Sequence, residues 1–301
     1  MLESLTNEEI DMNFIDSKEL LEVCNKKGWT ISEAMIEREK QLFHCSKEEI
    51  VSRMAHAYDI MKHAAERALR ENLVSMGGLI GGESKRLFFN ADKQSVCGEM
   101  MSKAISYAVG VLEVNSSMGL IVAAPTAGSS GVIPGVFLAM QERFGFEDEK
   151  MVQALFNAGA IGYLITRNAT VSGAEGGCQA EVGAASAMAA AAVCELMGGS
   201  PEMSLHAAAT ALTNILGLVC DPIAGLVEAP CQKRNAMGVS NALISAEMAL
   251  CGIRHIVPFD ETVEAMYHVG KSMPAELRET ALGGMANTPT GCQLCKDIFK
   301  E

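Results

Sequence analysis

Between the glycine cluster Gly77-Gly-Leu-Ile-Gly-Gly-Glu-Ser-Lys85 and roughly Gly252, the chain is dominated by Ala, Gly, Met and aliphatic residues and carries little charge. No stretch of it shows period-2 alternation with β-branched enrichment, so no major sheet is expected. Apolar segments alternate with glycine-rich turns, which predicts helices at about 93–113, 132–143, 148–165, 179–197, 201–219 and 235–251. Helices that are apolar on every side must be buried in a large helical protein. Their small residues let neighbours approach closely and leave turn backbone accessible.

The segment before this region has a different character. Residues 1–90 are charged and amphipathic, with Ser17 and Ser32 as candidate caps and Ser46 with Glu49 as a capping box for a long third helix. Ile50, Met54, Ala57, Met61, Ala65 and Ala68 fall on one face of that helix. After Pro258 the pattern gives helices at about 260–271 and 274–281, then the tail Gly283-Gly-Met-Ala-Asn-Thr-Pro-Thr-Gly-Cys292, read as a frayed end. The expected fold class is all-α: a helical N-terminal segment (1–90) and a compact multi-helix domain with glycine-rich turns (91–301), forming one continuous unit.

Charge and cysteine usage limit the partners. The formal net charge is -13, with no run of Lys or Arg, which argues against nucleic acid or an anionic membrane surface. Residues 1–10 are acidic and lack the apolar core of a secretory signal, so a cytoplasmic protein is expected. In that setting the ten cysteines are expected as free thiols or metal ligands rather than disulfides. Two long uncharged stretches, Val114 to Gln141 and Met203 to Cys220, are broken by prolines or carry polar residues. They read as buried helices rather than membrane spans.

Three cysteines stand in special turns: Cys178 in Ser-Gly-Ala-Glu-Gly-Gly-Cys-Gln, Cys220 in Gly-Leu-Val-Cys-Asp-Pro, and Cys231 in Glu-Ala-Pro-Cys-Gln-Lys-Arg-Asn. Each lies beside Gly or Pro at an expected helix end. Three thiolates suffice to hold an iron–sulfur cluster while leaving one iron open to a substrate oxygen, which is a Lewis-acid arrangement. Zinc also accepts three cysteines with a fourth ligand. The wide, uneven spacing is not a compact ferredoxin run, and buried cysteine is a common small hydrophobe. On the residues alone, all three readings stand.

Other residues are candidates by position. Thr126, Ser129 and Ser130 lie in Ala-Pro-Thr-Ala-Gly-Ser-Ser-Gly-Val-Ile-Pro, a hydroxyl-rich loop entering an apolar helix where successive N–H groups can cradle a carboxylate. Glu175 precedes the first cysteine and is a candidate proton-transfer group or an ordinary solvated carboxylate. Lys85, and Lys233-Arg234-Asn235 just after Cys231, are the best placed local positive charges for offsetting a cluster or steering an amino acid's carboxylate. Lys233 is a candidate catalytic group among them.

Taken together, Asn115-Ser-Ser-Met-Gly, the Thr126 to Ser130 loop, the three cysteine motifs and the Gly-Gly-Met-Ala-Asn-Thr-Pro-Thr-Gly tail closely resemble the iron–sulfur-dependent L-serine dehydratases, specifically their α subunit. The likeness runs in order from about Asp16 to the C-terminus. It implies a [4Fe–4S] cluster on Cys178, Cys220 and Cys231. It also implies conversion of L-serine to pyruvate and ammonia without pyridoxal phosphate, and a separate β subunit that completes the active site. Threonine dehydration, cysteine desulfidation on the same scaffold, or a non-catalytic zinc-binding helical subunit are the competing functions. The sequence departs from relatives at Ser130, where some carry a cysteine. It departs again in having Cys292 and Cys295, of which Cys292 is a candidate tail ligand.

Overall fold

A computed structural model describes residues 12–93 and 95–300. The acidic stretch at residues 1–10, on which the reading of the N-terminus rested, lies outside them. Thirteen α-helices and no strand occur among the described residues. None of these helices is long and apolar enough to cross a membrane.

The N-terminal layer is α1 (Ser17–Lys27), α2 (Ile31–Phe43) and α3 (Lys47–Arg70). The expected caps at Ser17 and Ser32 move by one and two residues. A cap must sit in extended backbone with its side chain on the first turn, and Asp16 and Thr30 meet that requirement. Thr30 forms a capping box with Glu33, and Ser46 forms the expected one with Glu49. On α3, Ile50, Met61, Ala65 and Ala68 are buried as the pattern predicts, while Met54 and Ala57 are half-buried. Tyr58, outside that set, is fully buried and donates to Gln141 Oε1 at 2.6 Å.

The remaining helices are α4 (Glu83–Phe88), α5 (Gly98–Ser116), α6 (Val132–Phe144), α7 (Asp148–Asn168), α8 (Gly173–Gly176), α9 (Ala184–Leu196), α10 (Pro201–Thr213), α11 (Cys231–Leu250), α12 (Phe259–Ser272) and α13 (Pro289–Phe299). At the centre lies α9, packed on α7, α10, α11 and α6. Every residue of α9 except Glu195 is buried. The Glu195 carboxylate accepts from the Ser32 N–H at 3.2 Å and from Asn157 Nδ2 at 2.7 Å, tying α2 and α7 to the centre. Close approach decides the packing of α6 on α5. A Cβ at Gly131 would lie 2.2 Å from the Ala108 carbonyl oxygen, so only glycine fits there.

Several expected boundaries shift for local reasons. The fifth helix begins at Gly98, because the Ser95 hydroxyl bonds the Gly98 carbonyl and the Cys97 N–H in a turn. The tenth stops at Thr213, short of Gly217 at φ 87. The eleventh begins at Cys231, four residues before its expected start, so a cysteine opens it. The helix expected at 274–281 shrinks to one 3-10 turn at Ala275–Leu277, because Glu279 and Ala281 adopt positive φ. Conversely, α4 and α13 were not expected. The tail therefore ends in a helix, capped by Thr288 with Pro289 in its first turn, rather than in a frayed strand of coil.

Candidate functional site

Each of the three cysteines is set by the backbone that surrounds it. Cys178 follows Gly177, whose φ of 77 and close neighbours, Met273 Sδ and the Leu218 carbonyl, admit no side chain. Gln179 fixes the turn: its N–H reaches the Leu218 carbonyl at 2.9 Å, its Nε2 the Met266 carbonyl at 2.9 Å, and its Oε1 accepts from the Gly217 N–H at 2.9 Å. Cys220 bridges to the chain near Arg278. Its N–H donates to the Leu277 carbonyl at 2.8 Å, and its own carbonyl accepts from the Glu279 N–H at 2.6 Å. Cys231 is the first residue of α11.

All three thiols are buried, at 3%, 3% and 8% exposure for Cys178, Cys220 and Cys231. Burial pushes the Cys178 and Cys231 thiols up to about 12, with the Glu181 carboxyl adding to the rise and Arg234 opposing it. Cys220 is driven up as well, by burial and then by Glu181 and Cys178. Cys231 acts on Cys178, and both act on Cys220, which places the three in one electrostatic neighbourhood. Among the described residues, no group of three or more His, Cys, Asp or Glu side chains is arranged to hold a single metal ion.

Glu181 is the carboxyl that the sequence reading passed over. It lies three residues after Cys178, in the π-turn Gln179–Gly183 that leads into α9. Its Oε1 accepts from Thr126 Oγ1 at 2.8 Å, and the Cys220 thiol approaches its Oε2 at 3.8 Å. Burial raises its pKa above the usual carboxylate value, with the Thr126 hydroxyl pulling the other way. The signal for it was its place in Gly-Gly-Cys-Gln-Ala-Glu: one helical turn past a cysteine, a side chain returns to the same face.

Most of the remaining candidates gather here. Thr126 shares a hydrogen bond with Ser129 at 3.1 Å, and the buried Ser130 donates to the Ala127 carbonyl at 2.7 Å. Asn235, on the first turns of α11, holds that loop: Nδ2 donates to the Gly128 carbonyl at 2.7 Å and the Cys231 carbonyl at 3.0 Å, while Oδ1 accepts from the Gly131 N–H at 3.0 Å. Arg234 pairs with Asp221 at 2.7 Å and donates to the Val219 carbonyl at 2.8 Å. A second buried carboxylate, Glu228, accepts from Ser75 Oγ, the Gly77 N–H and the Leu79 N–H, seating the glycine cluster against the turn before Cys231.

Four candidates stand apart. Lys85 donates to Asn72 Oδ1 at 2.7 Å and the Arg70 carbonyl, at the end of α3. The Glu175 side chain is exposed. Lys233 is exposed too, on a neighbouring cavity of about 790 Å³ that Glu83, Arg86 and Gln232 also line. Cys292 is exposed on α13, its thiol directed to the Ala286 carbonyl and Asn287 Oδ1 at 3.8 and 3.9 Å. Beside the cavity, Gln232 Nε2 lies 3.4 Å from both Glu83 Oε2 and Glu113 Oε1. Glu113 is 1% exposed, and burial followed by the Glu83 carboxyl raises it to about 7.

Comparison with known proteins gives a consistent likeness. A family model described as "Serine dehydratase alpha chain" matches residues 26–286. The chain is 50% identical over 287 residues to the "Probable L-serine dehydratase, alpha chain" of Bacillus subtilis (strain 168), covering 95% of each. It is 46% identical over 286 residues to the "L-serine dehydratase, alpha chain" of Peptoniphilus asaccharolyticus, covering 95% of this chain and 98% of that one. The "L-serine dehydratase 1" of Escherichia coli (strain K12) is longer: the 38% identical match covers 91% of this chain and 61% of that one.

Proposed function

Because the chain belongs to the serine dehydratase alpha-chain family, we propose that it is the α subunit of an L-serine dehydratase, with a [4Fe–4S] cluster on Cys178, Cys220 and Cys231. The observation that supports this reading is that three buried thiols from three separate segments, each set by its own turn, lie in one electrostatic neighbourhood.

The donor set fits such a group. The three thiols are buried, and a metal group would bind them as thiolates, displacing their protons. Burial shields them from solvent, and Arg234 supplies a fixed cation beside two of them. A cluster would take each of the three thiolates on a separate iron. When bound, it supplies an iron without a protein thiolate, a Lewis acid for a hydroxyl or carboxylate.

The chain's own residues frame the substrate. The Thr126 and Ser129 hydroxyls and the Glu181 carboxyl form a polar wall beside Cys220. Glu181 is suited to the ammonium of an amino acid, and the hydroxyls to its carboxylate. Ser130 and Asn235, whose side chains are bonded to the Ala127, Gly128 and Cys231 carbonyls and the Gly131 N–H, set that wall through the backbone rather than meeting substrate themselves. Loss of the serine hydroxyl and Cα proton leaves aminoacrylate, which tautomerises and hydrolyses in water to pyruvate and ammonia. The chain spans 61% of the longer E. coli relative, which accords with a second chain that completes the enzyme.

Anaerobic purification with iron and acid-labile sulfide analysis tests the reading. The complex should contain both and form pyruvate from serine, and Cys178→Ala should lose sulfide and activity together. Preferential formation of 2-oxobutyrate from threonine, or of sulfide from cysteine, would move the substrate. Zinc without sulfide would end the cluster reading.

A further inference from the structure

Arg234 began as a candidate for the substrate's carboxylate, but its surroundings give it different work. Its side chain is only 14% exposed, and its two terminal nitrogens are engaged: Nη2 with Asp221 at 2.7 Å, Nη1 with the Val219 carbonyl at 2.8 Å. A guanidinium clamps a carboxylate best with two parallel donors, and here Nη1 is hydrogen-bonded to a carbonyl while Nη2 is ion-paired to Asp221 Oδ1, an oxygen with no hydrogen bond of its own. Its charge also opposes the rise that burial imposes on the Cys178 and Cys231 thiols.

Asp221 extends the clamp. It follows Cys220 directly, its side chain is 3% exposed, and its Oδ2 accepts from the Met285 N–H at 2.6 Å. A Cβ at Gly284 would lie 2.2 Å from that oxygen, so the glycine pair of the tail is shaped to this carboxylate. One ion pair therefore connects the first turn of α11, the segment carrying Cys220 and the C-terminal tail.

We propose that Arg234 is a positioning residue for the cysteine ligands, locked by Asp221 as the fixed counter-charge of the thiolates, and not a ligand of the substrate. The inference rests on the cluster reading above. It assigns the tail a structural share in the site, since the carboxylate that orients Arg234 also anchors Met285. Charge balance supports it. With a cluster bound, three thiolates and the half-buried Glu181 would share one electrostatic neighbourhood, where a fixed cation favours retention of the cluster over its loss.

Arg234→Gln, Arg234→Lys and Asp221→Asn separate the two roles. Each is purified without air and scored for iron and sulfide per chain, for cluster lifetime on exposure to air, for the melting temperature of the metal-free protein, and for KM. Arg234→Gln should shorten the cluster lifetime about 10- to 100-fold. Arg234→Lys should recover part of that loss, with KM for serine unchanged in the loaded fraction. Asp221→Asn, which keeps an oxygen for Met285, should fall between them. Normal cluster content and lifetime in Arg234→Lys together with a KM raised tenfold would overturn the proposal in favour of substrate binding. Equal loss of metal-free stability and cluster in all three variants would overturn it in favour of a purely structural ion pair. Wild-type protein devoid of iron and sulfide would remove the underlying reading as well, an outcome visible before any variant is made.

Discussion

The N-terminal helices and the helices around the cysteines are stabilised by opposite means. Large side chains carry the first region: Leu20, Ile31 and Tyr58 are fully buried, and capping boxes close the starts of α2 and α3. Its outer face holds pairs such as Arg70 with Glu66 at 2.7 Å. Around the cysteines side chains are small, α6, α7 and α11 begin without a side-chain cap, and backbone presses on backbone. A region built from size tolerates trimming at a graded cost. One built from proximity has no room to add an atom, and that rigidity suits a site whose side chains come from distant segments.

Trimming the first region should have the largest effect on stability. Ile31→Ala removes a fully buried side chain at the start of α2, and large-to-small changes of this kind cost about 2–5 kcal/mol. Denaturant unfolding should show that loss, with iron content per folded chain unchanged. A fall in iron content at equal folded fraction would mean that the two regions are not separable.

The buried carboxyl between the regions comes next. Glu113 is raised to about 7 from an ordinary 4.5, so the folded state holds a proton that the unfolded chain has released. Its contribution is fully present below pH 4.5 and is lost as pH rises through 7. Glu113→Gln should remove that loss, a difference on the order of 2–3 kcal/mol between wild type and variant across the window. Urea titrations of both proteins at pH 4.5 and pH 8 measure it. A constant difference between them would show that Glu113 titrates normally.

The same contrast explains what could be read from sequence. Caps and periodicity act locally, so the first region was nearly legible, and its misses were offsets of one or two residues at Asp16 and Thr30. The all-α class followed from the absence of strand patterning, and the cysteine motifs stood out through their Gly and Pro neighbours. What stayed hidden depends on contacts distant in sequence. Arg234 looked like a free cation until Asp221 and Val219 took its nitrogens. Glu175 sat nearer the first cysteine motif's glycines, but the turn at Gly177 sends it outward and brings Glu181 in. Lys85 and Lys233 stood beside the right glycines and the right cysteine, yet helix direction points them elsewhere.

Adding one methyl in the centre should separate function from stability. A Cβ at Gly173 would lie 2.6 Å from Glu181 Oε2 and 3.0 Å from Cys220 Sγ. The carboxylate must move away from Thr126 or the thiol must shift, so Gly173→Ala should lower activity or iron occupancy about 10- to 100-fold. The melting temperature of the metal-free protein should change little, because a flexible carboxylate can yield. Unchanged activity would show that Glu181 has no part in the site.

The smallest effect tests the boundary between the regions. The Ser46 hydroxyl accepts from the Glu49 N–H at 3.2 Å, and the Glu49 carboxylate accepts in turn from the Ser46 N–H at 2.9 Å. Ser46→Ala breaks half of that box at the start of a 24-residue helix and should cost about 1 kcal/mol. That is a lowering of about 2–4 °C in melting temperature for a chain of this size class. No equivalent side-chain cap opens α11, where the Asn235 side chain instead ties the new helix to the hydroxyl loop. Asn235→Ala should therefore disturb the cysteine neighbourhood, whereas Ser46→Ala should leave iron content at the wild-type level. Loss of iron from Ser46→Ala would mean that α3 transmits its fraying through α5 to the cysteines, and the division between a region built from size and one built from proximity would fail.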